Sequence, residues 1–115
     1  MKSEIWTYRT EIKPDARKLE GFHVEARDGS IGKVDEATEE VGSAAIVVDT
    51  GPWIFGRKVV IPAGVIERVD ADEKVFVSMT KDQIKDSPEF DPEKGWRNDE
   101  YRTRLGSYYG DRVSS

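Results

Sequence analysis

The sequence predicts a small all-β protein, a six-stranded barrel with a short helix after the last strand and a second helix near the C-terminus. Several short stretches alternate apolar and polar residues at a period of two. Turn residues (Gly, Pro and Asp) separate these stretches. The 115 residues fit one domain. We therefore expect an N-terminal arm at 1–20, a barrel domain at 21–92 and a C-terminal helical extension at 93–115.

The first two strands form a predicted hairpin. Residues 22–26 alternate apolar and polar side chains, as a half-buried strand does. Asp28-Gly29 is a strong hairpin-turn signal. In the second strand, 31–37, the apolar spacing is three instead of two, and Gly32 lies at that point. The spacing predicts a β-bulge at Gly32.

Four further strands follow between turn signals. The third strand, 44–49, is an apolar run that ends at Thr50-Gly51-Pro52, because proline has no amide donor for a sheet. The fourth strand is predicted at 59–61. The remaining two are predicted at 65–70 and 74–79.

A short helix is predicted after the sixth strand. Thr80 and Gln83 have the spacing of a capping box, in which each side chain binds the backbone amide of the other residue. The helix must end by about Ser87, because the residue before Pro88 is disfavoured in the helical region.

A second helix is predicted near the C-terminus. Asn98 is a suitable N-cap residue. Tyr101, Leu105 and Tyr108 then form one apolar stripe at helical spacing. Gly110 is expected to end the helix.

Composition and charge exclude several classes of function. The net charge is −5, and residues 21–92 hold 15 acidic against 8 basic side chains. This balance does not favour a nucleic-acid partner. No apolar run is long enough for membrane insertion, and no signal peptide is recognised, so we expect a cytoplasmic protein. Cysteine is absent, and His23 is the only histidine, so we expect no metal and no cofactor.

Three segments together resemble the PRC-barrel domain family, the barrel of the photosynthetic reaction centre H subunit and of a ribosome-maturation factor. They are Phe22 to Val34, Val47 to Pro62 and Thr80 to Pro88. The resemblance covers nearly two thirds of the chain. It implies a barrel that works through protein–protein contacts. It provides no shared catalytic residues to transfer to this sequence.

Candidate partner-binding residues come from two segments. Large apolar residues are unusual in loops and frequent at interface hot spots, so the loop between strands three and four either plugs the barrel or anchors a partner. The apolar stripe of the C-terminal helix packs either on the barrel or on a second subunit. The predicted partner-binding residues are Trp53, Ile54, Phe55, Arg57, Lys58, Tyr101, Leu105 and Tyr108.

Two other functions compete with a non-enzymatic interaction module. The triplet Asp49-Thr50-Gly51 is also the signature of retroviral-type aspartic proteases, which need two such carboxylates paired in a dimer. The second motif of those proteases is lacking, and turn chemistry explains the triplet. The other alternative is a peripheral subunit of a membrane energy-converting complex, but no strong amphipathic anchor is evident.

A homodimer is also predicted. Eight large side chains, most of them outside the six strands, are too many to leave scattered on a 13.0 kDa monomer. They are Trp53, Phe55, Phe90, Trp96, Tyr101, Leu105, Tyr108 and Tyr109.

Overall fold

The computed structural model of the chain describes most of the predicted barrel and the C-terminal helix. The described residues are 5–6, 19–38, 44–51, 58–70, 72–88, 95 and 98–113.

The described residues form six β-strands and two α-helices, which confirms the prediction of a mainly β protein. All six strands lie where the sequence predicts them, with ends shifted by one or two residues. A 3₁₀ turn at Ala63–Val65 joins the fourth and fifth strands. In chain order the elements are β1 (His23–Ala26), β2 (Gly29–Ala37), β3 (Ala45–Asp49), β4 (Lys58–Pro62), β5 (Ile66–Val69), β6 (Lys74–Val77), α1 (Lys81–Lys85) and α2 (Asp99–Val113).

The strands form one sheet in the order β4-β3-β2-β1-β6-β5. The pair β1 and β6 is parallel, and the other neighbours are antiparallel. In a flat sheet the two outer strands, β4 and β5, would be about 24 Å apart. Only Ala63–Val65 joins them, and a connection of that length spans at most about 14 Å. The sheet is therefore strongly curled, although no ladder pairs β4 with β5 in the described residues.

Two β-bulges bend the long strand β2. The register with β1 shifts opposite Val24 and Glu25, and the register with β3 shifts between Val34 and Glu36. The first bulge confirms the prediction at Gly32. Bulges increase the local twist, so they allow one strand to pair with two differently oriented neighbours.

Gly32 is required at the first bulge by close backbone packing. Its φ is +144°, a conformation that residues with a side chain rarely adopt. A Cβ atom at this position would overlap the carbonyl oxygen of Asp49 and lie 3.0 Å from the Cα of Thr50. The absence of a side chain at Gly32 therefore lets β2 contact the end of β3.

The core lies on both faces of β3 and β4. Four consecutive residues of β3 are buried, and so are four of β4, whereas β1 and β6 bury alternate residues. Strands β3 and β4 are therefore covered on both sides, and the outer face of β1 and β6 is more open. Leu19, assigned to the N-terminal arm from the sequence, is also buried in this core.

Helix α1 begins at the predicted capping box. The Thr80 hydroxyl accepts the amide of Gln83, and the Gln83 side chain accepts the amide of Thr80. The β1–β2 turn contacts the same helix end, because the Asp28 carboxylate accepts the amide of Lys81 at 2.8 Å. The first hairpin is thus attached to α1.

Helix α2 packs on its own chain. Asn98 caps its first turn as predicted, accepting the amide of Tyr101 at 3.1 Å. Tyr101, Leu105 and Tyr109 are buried within the single chain. The prediction that Gly110 ends the helix is wrong, since α2 continues to Val113. Glycine in a helix costs only about 1 kcal/mol, which the surrounding helix tolerates.

Trp6 links helix α2 to the sheet. Its carbonyl accepts the amide of Ala44 at 2.8 Å, immediately before β3. The Arg102 guanidinium lies 4.5 Å from the centre of its ring. Gly106 allows this close approach, because a Cβ there would lie 3.1 Å from the Trp6 Nε1.

Gly32→Ala is expected to lower the free energy of unfolding by at least about 2 kcal/mol, from steric overlap with Asp49 and from backbone strain. Urea unfolding followed by tryptophan fluorescence would measure this change. The matched control is Gly110→Ala, where a Cβ meets no atom within 4 Å, and a small gain in stability is expected. Equal stability of Gly32→Ala and wild type would contradict the packing described for this bulge.

Candidate interaction surface

The triplet after β3 closes the strand with a local turn. The Asp49 carboxylate is exposed, and its Oδ1 accepts the amide of Gly51 at 3.0 Å. Thr50 is buried beside the first bulge. The structure thus confirms the predicted turn chemistry of Asp49. This geometry occupies one carboxylate oxygen with the chain's own backbone.

Lys58, at the start of β4, is held by an ion pair. Its ammonium group lies 2.9 Å from the Asp35 Oδ2, and both side chains are about half-exposed. The hydrogen bond and the charge of Asp35 raise the pKa of Lys58 above its ordinary value of 10.5. Asp35 reaches Lys58 from the second bulge of β2, so this bulge positions the pair.

Five exposed polar side chains lie side by side across five neighbouring strands. The registers pair Lys74 with His23, His23 with Lys33, Lys33 with Asp49, and Asp49 with Lys58. Residues directly opposite one another on adjacent strands have their side chains on the same face of a sheet. All five are exposed. We call Lys74, His23, Lys33, Asp49 and Lys58 the charged row.

The loop at 52–57, which we call the aromatic loop, joins the end of β3 to the start of β4. Asp49 and Lys58 of the charged row lie at those two strand ends. The predicted site residues Trp53, Ile54, Phe55 and Arg57 lie outside the described residues. Their role as a partner anchor stays a prediction. Lys58 is the one predicted residue of this segment within the described structure, and it belongs to the charged row.

The predicted site residues of helix α2 contact their own chain. Tyr101 and Leu105 are buried, and Tyr108 is half-buried. The hydroxyl of Tyr101 donates to the Pro88 carbonyl at 3.1 Å, and the hydroxyl of Tyr108 donates to the Gln83 carbonyl. Both bonds fasten α2 to the region of α1. Tyr101 and Leu105 could therefore reach a partner only if α2 moved, and their assignment to a partner interface stays a prediction.

The intramolecular burial also removes much of the argument for a homodimer. Of the eight large side chains, Tyr101, Leu105 and Tyr109 are accommodated within one chain. Tyr108 is half-buried, and the other four, at 53, 55, 90 and 96, lie outside the described residues. A dimer stays a prediction that would depend on those positions.

An aromatic side chain lies near the charged row. Phe76 follows Lys74 by two positions on β6, so both side chains lie on the same face. The Arg68 guanidinium covers the Phe76 ring at 3.8 Å from its centre. Glu25 lies opposite Phe76 on β1. This face therefore combines exposed charges with one half-buried ring.

His23 is an exposed residue of β1. In the described part of the chain, no group of three or more His, Asp or Glu side chains is arranged to hold a metal ion. Nor is any helix in that part long and apolar enough to cross a membrane.

Sequence reasoning missed the charged row as a unit. His23, Lys33 and Lys74 are far apart in the chain, and each is an ordinary surface residue by itself. Only the strand order and register bring them together. The period-two pattern of β1 and β6 could have assigned His23 and Lys74 to the outer face, but the parallel pairing of these strands has no local signal.

Comparison with known proteins finds similarity to a protein whose description gives no function. No family model matches the chain. A protein of Deinococcus radiodurans described as an uncharacterized protein is 35% identical over 72 residues. The match covers 60% of this chain and 26% of that protein. The chain thus matches about a quarter of the length of this larger relative.

Asp35→Asn is expected to lower the pKa of Lys58 toward 10.5, because the carboxylate is the main cause of its raised value. Because the pKa of Lys58 is higher in the folded state than in the unfolded state, its ion pair with Asp35 contributes its full stabilisation below pH 10.5, the pKa of the unfolded state. This contribution is lost as the pH rises through the raised pKa. An NMR titration of the Lys58 side chain, with Lys74 as an internal reference, would measure the shift. An unchanged pKa in the variant would contradict the ion pair.

Proposed function

We propose that the chain is a non-enzymatic PRC-barrel domain that acts as a protein–protein interaction module. The curled sheet provides a rigid support, and its short β4–β5 connection is consistent with a closed barrel. The interaction surface consists of the charged row together with the aromatic loop at 52–57. The observation that carries the proposal is the charged row, which presents five exposed polar side chains beside the two ends of that loop.

The distribution of burial supports this choice of surface. Strands β3 and β4 are covered on both faces, and α2 buries its apolar side chains within the chain. The outer face of β1 and β6 exposes alternate residues and contains the half-buried ring of Phe76. Interfaces combine a few aromatic anchors with a polar rim, and this face together with the loop has that composition.

The larger relative also supports a modular role. A segment similar to this chain accounts for 26% of the Deinococcus radiodurans protein. A unit that recurs within a longer protein is typical of a domain that is combined with others.

We infer that the domain acts in the cytoplasm.

Trp53→Ala is expected to reduce the capture of protein partners in proximity labelling of native cells, because it removes the largest anchor of the loop. Arg104→Ala, at an exposed position on α2, is the matched control and should leave the labelled proteins unchanged. Equal labelling by the wild type, Trp53→Ala and Arg104→Ala would reject the proposed surface. Light scattering of the purified chain would show separately whether a second copy is among the partners.

Asp49→Asn is expected to leave the protein folded, with a change in the free energy of unfolding within about 0.5 kcal/mol. The asparagine Oδ1 can still accept the amide of Gly51, so the turn is preserved. We expect no cleavage of a peptide library by the wild type at acidic or neutral pH. Proteolysis that is lost in Asp49→Asn would instead support the aspartic protease alternative.

A further inference from the structure

Three members of the charged row form a continuous basic stretch. Lys74, His23 and Lys33 lie on the adjacent strands β6, β1 and β2 and are exposed. Across this stretch the outer Cα atoms are about 10 Å apart, because neighbouring strands are separated by about 4.8 Å. Two ammonium groups thus flank one imidazole on an open face.

Two acidic side chains beside this stretch accept backbone amides. Asp49 lies opposite Lys33 but forms no ion pair with it in the described structure; its carboxylate accepts the amide of Gly51 instead. Asp70, near Lys74, accepts the backbone amides of Asp72 and Lys74 with its Oδ1.

The third lysine of the row, Lys58, is neutralised by an ion pair. Lys58 is paired with Asp35, so it adds little to the field of the row. The side chains of Lys33, His23 and Lys74 have no ion pair or hydrogen bond to any described residue. Within the described residues, an acidic protein of net charge −5 thus presents a local stretch of basic side chains without an ion pair.

We propose that Lys74, His23 and Lys33 bind an acidic segment of a protein partner. This inference rests on the proposed function and names the class of partner. Complementary charge across an interface favours association and sets the orientation of the partner. Alternate residues of an extended chain share one face and lie about 7 Å apart, so carboxylates two positions apart match the two lysines once the flexible lysine side chains adjust.

The charges favour an acidic peptide over a nucleic acid. A nucleic acid carries a dense line of phosphates and needs several clustered cations to neutralise them. Here two lysines and one histidine are surrounded by a protein of the same sign as the polyanion. No arginine, the residue best suited to bind phosphate with two hydrogen bonds, is among the three. A short segment with two or three carboxylates avoids most of that repulsion.

Fluorescence anisotropy with labelled peptides tests the proposal. The probe is a Gly/Ser peptide with Glu at every second position, and its neutral counterpart carries Gln at those positions. We expect the Glu peptide to bind the full chain at low salt and the Gln peptide not to bind. The double variant Lys33→Gln/Lys74→Gln should weaken binding at least about fivefold, since it removes both ammonium groups.

A matched double variant separates a local site from net charge. Lys85→Gln/Arg104→Gln removes the same two charges from exposed positions on α1 and α2. It should weaken binding less than Lys33→Gln/Lys74→Gln does, because both positions lie on helices and outside the charged row. Circular dichroism of both variants should match the wild type, since all four positions are exposed.

Three outcomes would overturn the proposal. They are no binding of the Glu peptide, equal weakening by the two double variants, and tighter binding of an oligothymidylate of equal charge than of the Glu peptide. If the peptide experiment overturns the basic stretch as a binding site, the proposed function still stands provided that Trp53→Ala reduces partner labelling. If wild type and Trp53→Ala label partners equally while the Glu peptide still binds, the aromatic loop is instead rejected as a partner anchor.

Discussion

The short connection between the two outer strands is the constraint on which the fold depends. Ala63–Val65 must join β4 and β5, which lie at opposite edges of a six-stranded sheet. The sheet can satisfy this only by curling. The bulges of β2 and the register shift between β5 and β6 add the local twist that favours such a curl. The first bulge in turn needs Gly32, because the backbone of Asp49 occupies the space of a side chain. The glycine at the first bulge and the three-residue turn thus both constrain the shape of the sheet.

The same curl determines what the surface presents. The charged row crosses five strands at the level where β3 ends and β4 begins. The two bulges of β2 lie on either side of Lys33, so the pairing of Lys33 with β1 and β3 stays in register. Five side chains from distant parts of the chain therefore come to one face. The second bulge supplies Asp35, which neutralises Lys58 and confines the uncompensated charge to β6, β1 and β2. Structure and charge distribution are therefore set by the same irregularities.

Local features of the fold could be predicted from the sequence, and nonlocal ones could not. The Thr80 capping box and the bulge at Gly32 involve residues close in sequence, so residue type and spacing identify them. The parallel pairing of β1 with β6 depends on residues distant in the chain, and no spacing encodes it. Leu19 was missed as a core residue because no periodic pattern surrounds it. The predicted site was recovered only in part, since Lys58 lies in the charged row while Tyr101 and Leu105 are buried.

The parallel pair at the centre of the sheet also governs the order in which the chain can fold. Strand β1 lies between β2 and β6, so one of its edges is completed only by the last strand of the sheet. During synthesis the segments forming β1 to β5 leave the ribosome before the partner of that edge exists. Such long-range pairing slows folding and exposes unpaired strand edges to aggregation. The nascent chain therefore carries an open edge and an incomplete core until β6 has been synthesised.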